Sequence, residues 1–81
     1  MPMFMVEREF AERFDPDDQT IRAVDDYNSR NDIRWLTSFL SADKKKTYCL
    51  YECADIDVLR RHATELGLPA DAITEVSEFE R

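Results

Sequence analysis

The chain is 81 residues long and carries 18 acidic against 11 basic side chains, a formal net charge of −7. That length bounds a single domain, 1–81, with a small core, at the size where oligomerisation commonly supplements stability. The charge balance excludes the phosphate-neutralising surface that nucleic-acid binding requires. No apolar run approaches the roughly 20 residues that cross a bilayer, and the amino terminus enters a strand with no basic region or small-residue cleavage site. A soluble, cytoplasmic domain with no nucleic-acid or membrane partner is expected.

Met3 to Phe10 alternates, with Phe4, Val6, Arg8 and Phe10 on one side and Met3, Met5, Glu7 and Glu9 on the other, and predicts a first strand. Asp15-Pro16-Asp17-Asp18 predicts a helix start: an acid at the N-cap, proline at the first helical position, and further acids at the positive dipole end. Ile21, Val24 and Tyr27 then recur on one helical side, with Ala23 beside them, until Asn28-Ser29-Arg30-Asn31-Asp32 supplies residues that prefer caps and turns. Ile33 to Ser41 and Thr47 to Cys53 read as two strands of a hairpin, joined by the charged turn Ala42-Asp43-Lys44-Lys45-Lys46. Asp55 caps a second helix whose apolar stripe is Ile56, Leu59, Ala63 and Leu66. Gly67, the only glycine, falls where a helix end needs positive φ, and Pro69 follows to forbid continuation. Ile73 to Phe79 alternates again as a fourth strand.

The order β-α-β-β-α-β is the split βαβ, or ferredoxin-like, arrangement of an α+β domain, in which two helices cover only one face of an antiparallel sheet. A turn centred on Asp43-Lys44 pairs Ser38 with Cys49, Leu36 with Tyr51 and Trp35 with Glu52. Leu36, Ser38, Leu40 and Cys49, with Phe4 and Val6, then face the helices. Glu7, Trp35, Thr37, Tyr48, Leu50 and Glu52 face away from them, and a one-residue slip would exchange the two sets. Phe39, Met3 and Met5 join this second face and make it too apolar to stay bare. A second copy packed sheet to sheet, a homodimer of the dimeric α/β barrel type, is the economical cover.

The same face concentrates the candidate chemistry. Glu7 and Glu52 would enter an inter-subunit cavity walled by Trp35, Thr37, Tyr48 and Met5, where carboxylates beside aromatics serve proton transfer, a divalent metal or a cationic ligand; at strand ends they would instead simply reach water. His62, the sole imidazole, is either a packing residue of the second helix or a remote third metal ligand. Cys49 and Cys53 lie four apart on one strand, roughly 13 Å between Cα atoms, too far for a disulfide, so two free thiols in a reducing compartment are expected. A single glycine makes no phosphate loop, and the chain holds no arguable Ser-His-Asp set.

The segments Met5-Val6-Glu7-Arg8-Glu9-Phe10, Ile33-Arg34-Trp35-Leu36-Thr37-Ser38-Phe39, Thr47-Tyr48-Cys49-Leu50-Tyr51-Glu52 and Gly67-Leu68-Pro69-Ala70-Asp71-Ala72-Ile73-Thr74-Glu75-Val76 resemble, in order and spacing, a small bacterial domain family of unknown function described as nickel-binding, ferredoxin-like proteins. The resemblance implies the ferredoxin-like fold, a dimeric habit and nickel as a ligand. Many members carry His at the position of Thr37, so a site here would rely on the oxygens of Glu7 and Glu52 or borrow His62, whereas nickel favours imidazole. Three readings stay open: a small binding protein with an inter-subunit pocket for nickel or another divalent metal; a cofactor-free monooxygenase- or isomerase-like enzyme acting on a small apolar substrate in that pocket; or a plain dimeric interaction module, if Trp35, Phe39 and Leu50 fill the cavity themselves.

Overall fold

The computed structural model describes residues 1–80. Its elements run β1 (Met3–Glu9), α1 (Asp18–Arg30), β2 (Arg34–Leu40), β3 (Lys46–Glu52), α2 (Ile56–Leu66) and β4 (Ala72–Val76). The strands form one four-stranded antiparallel sheet in the order β2-β3-β1-β4. Alternation decides its two faces. Phe4, Val6 and Arg8 of β1 and Thr47, Cys49 and Tyr51 of β3 are buried, while their neighbours in sequence are not. Phe4, Val6, Cys49 and Tyr51 pack with Ile33, Cys53 and Leu59, and Tyr27, Ile56 and Val58 of the helices close over them. Both helices therefore lie on one face. The other face carries Met3, Met5, Glu7, Tyr48, Leu50 and Glu52, only half-buried. No helix among the described residues is long and apolar enough to cross a membrane.

The second helix ends as its sequence dictates. Asp55 Oδ1 accepts from the backbone of Asp57 at 2.9 Å and of Val58 at 3.2 Å. At the other end Gly67 adopts φ +66°, and Leu68 N–H reaches back to Ala63 O at 2.9 Å. The hairpin turn is equally local: Asp43 Oδ1 accepts from Ser41 Oγ at 2.7 Å and Lys45 N–H at 3.0 Å, and Ser41 N–H closes on Lys46 O at 2.9 Å.

Three expectations are corrected. The N-cap of α1 is Asp17, whose Oδ1 accepts from Thr20 N–H at 2.8 Å, so Pro16 precedes the cap instead of opening the helix. The cause is tertiary: Phe10 N–H bonds Lys45 O at 2.8 Å, Phe14 N–H bonds Lys44 O at 2.7 Å, and the two phenyl rings stack with centroids 4.3 Å apart. This tie to the hairpin turn holds the chain outside the helix until Asp17. The fourth strand stops at Val76, not Phe79, because Val76 already pairs with Met3, the first residue of β1. Phe79 is left 86% exposed.

The third correction matters most for function. Ser38 pairs with Cys49 as the turn requires, and Leu40 pairs with Thr47. A β-bulge between Trp35 and Thr37 then shifts the register, so that Trp35 pairs with Tyr51 and Arg34 with Glu52. Leu36 is the extra residue. One inserted residue reverses the parity of everything before it, and Trp35 moves from the open face to the helix face.

Candidate functional site

The open face gathers four of the six residues singled out by the sequence: Glu7, Thr37, Tyr48 and Glu52. Thr37 stands opposite Leu50, and Tyr48 lies between Glu7 and Phe39 on the neighbouring strands. Phe39, on the edge strand, is 60% exposed. The two carboxylates do not converge within one protomer. Glu52 pairs with Met3, four residues along β1 from Glu7, a separation of roughly 13 Å on the sheet.

Each carboxylate already has a cation. Arg34 Nη1 donates to Glu52 Oε1 at 3.1 Å. Lys46 Nζ sits 4.0 Å from Glu7 Oε1 and 3.7 Å from Glu9 Oε1, and 5.6 Å from the centre of the Tyr48 ring. Tyr48 foremost, then Glu9 and Glu7, hold the Lys46 ammonium above its ordinary pKa. Such half-exposed pairs are weak, so a stronger cation can displace them. A single protomer does not assemble a donor set for nickel. The open face offers carboxylate, hydroxyl and thioether groups but no imidazole or thiol, and among the described residues no three His, Cys, Asp or Glu side chains group closely enough to hold a metal ion.

Trp35 and His62 lie on the other side of the sheet. The Trp35 indole bonds Ser38 there and does not wall an inter-subunit cavity. His62 is fully buried in α2, its ring edge-on to Tyr27 at 5.5 Å and Tyr51 at 5.3 Å. Neither ring nitrogen has a hydrogen-bond partner. Burial, and secondarily the charge of Arg8, pushes its pKa down to about 4, so the imidazole is neutral at physiological pH. The sheet separates it from Glu7 and Glu52, and it joins no site with them.

Arg8 is a buried cation that the set suggested by the sequence does not include. It is 3% exposed, with Nη1 donating to Pro69 O at 2.6 Å and Nη2 to Tyr51 Oη at 3.2 Å. Burial, foremost, pushes the Tyr51 phenol up to about 12. The signal is present in the sequence, since Arg8 shares the strand parity of Phe4 and Val6. Both cysteines are free and buried, and burial raises the Cys53 thiol.

A four-stranded antiparallel sheet in this order, helices on one face only, defines a ferredoxin-like α+β domain. Over residues 4–76 the chain matches the family described as nickel responsive protein, SCO4226-like, and it belongs to that family. The resemblance carried by its four segments is thereby shown. Among solved structures it is similar to SCO4226 from Streptomyces coelicolor A3(2), with a TM-score of 0.78 over 96% of this chain and 99% of that one. The two are 20% identical, so this likeness shows the fold. No curated protein matches the chain.

Proposed function

We propose that the chain is a small binding protein that associates through its open sheet face as a homodimer, and that a divalent transition metal, nickel foremost, is held between the two protomers by Glu7 and Glu52, with Thr37 and Tyr48 beside them. The observation that carries this reading is the open face itself: Met3, Met5, Leu50 and Phe39 surround two carboxylates, and neither helix covers them. Two-fold symmetry doubles the carboxylates to four, which a single protomer lacks. The family description supplies nickel as the metal to try first. Two free thiols fit a reducing, cytoplasmic setting.

Calorimetric titration of the metal-free protein with nickel tests the reading. Saturable heat is expected in the wild type, strongly reduced in Glu7→Gln and in Glu52→Gln. Absence of heat in the wild type, or isotherms in both variants identical to the wild type's, would refute the metal assignment.

A further inference from the structure

The first half of α1 stands off the sheet. Its buried residue is Asn28, in the last turn, while Ile21 is 38% exposed and Val24 only half-buried. The gap is a cavity of about 130 Å³ with Phe14, Ile21 and Val24 on one wall and Trp35 and Cys49 on the other. The Trp35 N–H is already taken by Ser38 at 2.6 Å, so the indole offers this space apolar surface.

Two polar groups lining the cavity lack what burial demands. Arg8 donates only to neutral oxygens, Pro69 O and Tyr51 Oη, and among the described residues no carboxylate lies within 4.0 Å of it. Thr47, 5% exposed, buries its Oγ1 with no partner. A buried cation without a counter-ion is costly, and a carboxylate that takes two guanidinium N–H groups is its best geometric complement. The apolar walls fix the rest of the ligand.

We propose that this cavity binds a small apolar monocarboxylate, its carboxylate on Arg8 and the Thr47 hydroxyl, its hydrocarbon end between α1 and Trp35. A dianion such as phosphate would bring a second charge that a single guanidinium leaves unpaired. At about 130 Å³ the cavity is close to the size class that accepts a single benzene ring. In benzoate that ring would lie against the apolar walls with the carboxylate at Arg8, which makes benzoate the probe to use. The site lies on the face of the sheet opposite the proposed metal site and is independent of it.

Trp35, the only tryptophan, reports on occupancy. Benzoate added to the intact protein is expected to change its emission saturably, and benzyl alcohol, the same ring without the charge, to bind at least about tenfold more weakly. Arg8→Met should abolish the response. Because Arg8 also ties β1 to Pro69, Val24→Phe serves as a second variant that fills the cavity and keeps the cation; it too should abolish binding. Thr47→Val should weaken it severalfold. No response at millimolar benzoate, equal affinity for benzyl alcohol, or undiminished binding in Val24→Phe would overturn the proposal.

Discussion

Trp35 Nε1 donates a 2.6 Å hydrogen bond to Ser38 Oγ across the bulge at Leu36. With the extra residue between them, the two side chains lie on the same, helix-covered face, and the bond holds the indole there. Ser38→Ala would leave the indole N–H to solvent. Trp35 is 36% exposed, so the cost belongs at the ordinary net value of a hydrogen bond, about 1 kcal/mol. Urea denaturation followed by circular dichroism measures it, and a red shift of the Trp35 emission should accompany it.

His62 makes stability depend on pH in a defined window. Its pKa falls from an ordinary 6.5 to about 4 on folding. Between these values the unfolded chain binds a proton that the folded chain refuses, so stability is fully present above about pH 6.5 and is lost as the pH drops toward about 4. The full span corresponds to about 3 kcal/mol. In His62→Phe, which keeps an aromatic ring beside the two tyrosines but cannot titrate, urea midpoints between pH 6.5 and pH 5 should become nearly flat; an unchanged slope would place the proton uptake elsewhere.

Gly67 isolates a backbone cost. A Cβ added there would meet nothing within 4 Å, yet φ is +66°. Gly67→Ala should therefore destabilise by about 1 kcal/mol through the left-handed conformation alone, with Gly67→Asn losing less. Thermal melts of the two variants beside wild type separate this from steric clash, which would penalise Asn more than Ala.

The proposed association through the open face predicts an asymmetry between the two sides of the sheet. Leu50→Lys places a charge on the uncovered face and should halve the mass seen by sedimentation equilibrium. Ile21→Lys, at an exposed position of α1 on the other side, should leave it unchanged. Monomeric wild-type protein, or a dimer insensitive to Leu50→Lys, would remove the inter-subunit site.

Much of this arrangement is legible in the residues themselves. Strand parity places Glu7, Thr37, Tyr48 and Glu52 on one face because the turn at Asp43-Lys44 sets the hairpin register from purely local bonds. Asp55 and Gly67 mark the second helix for the same reason. Trp35 escapes, since the bulge has no glycine to announce it and depends on how the end of β2 meets β3. The start of α1 escapes because the Phe10–Phe14 stack and its bonds to the hairpin turn are tertiary. The burial of His62 is within reach of helical spacing: it stands three residues after Leu59, on the arc that Leu59 and Ala63 bury. Parity also puts Arg8 on the correct face, but its lack of a carboxylate partner depends on Pro69 and Tyr51, which lie far along the chain.

The bulge at Leu36 has one more effect, on solubility. β2 is an edge strand whose seven residues are all exposed, four of them Trp35, Leu36, Phe39 and Leu40. A straight edge of this kind is a template on which strands from other molecules add and fibrils grow. The inserted residue interrupts the row of free peptide groups near its start, and bulges increase the local twist, so an incoming strand meets no ladder that runs the length of the edge. The same irregularity that carries Trp35 to the helix side guards the molecule against aggregation.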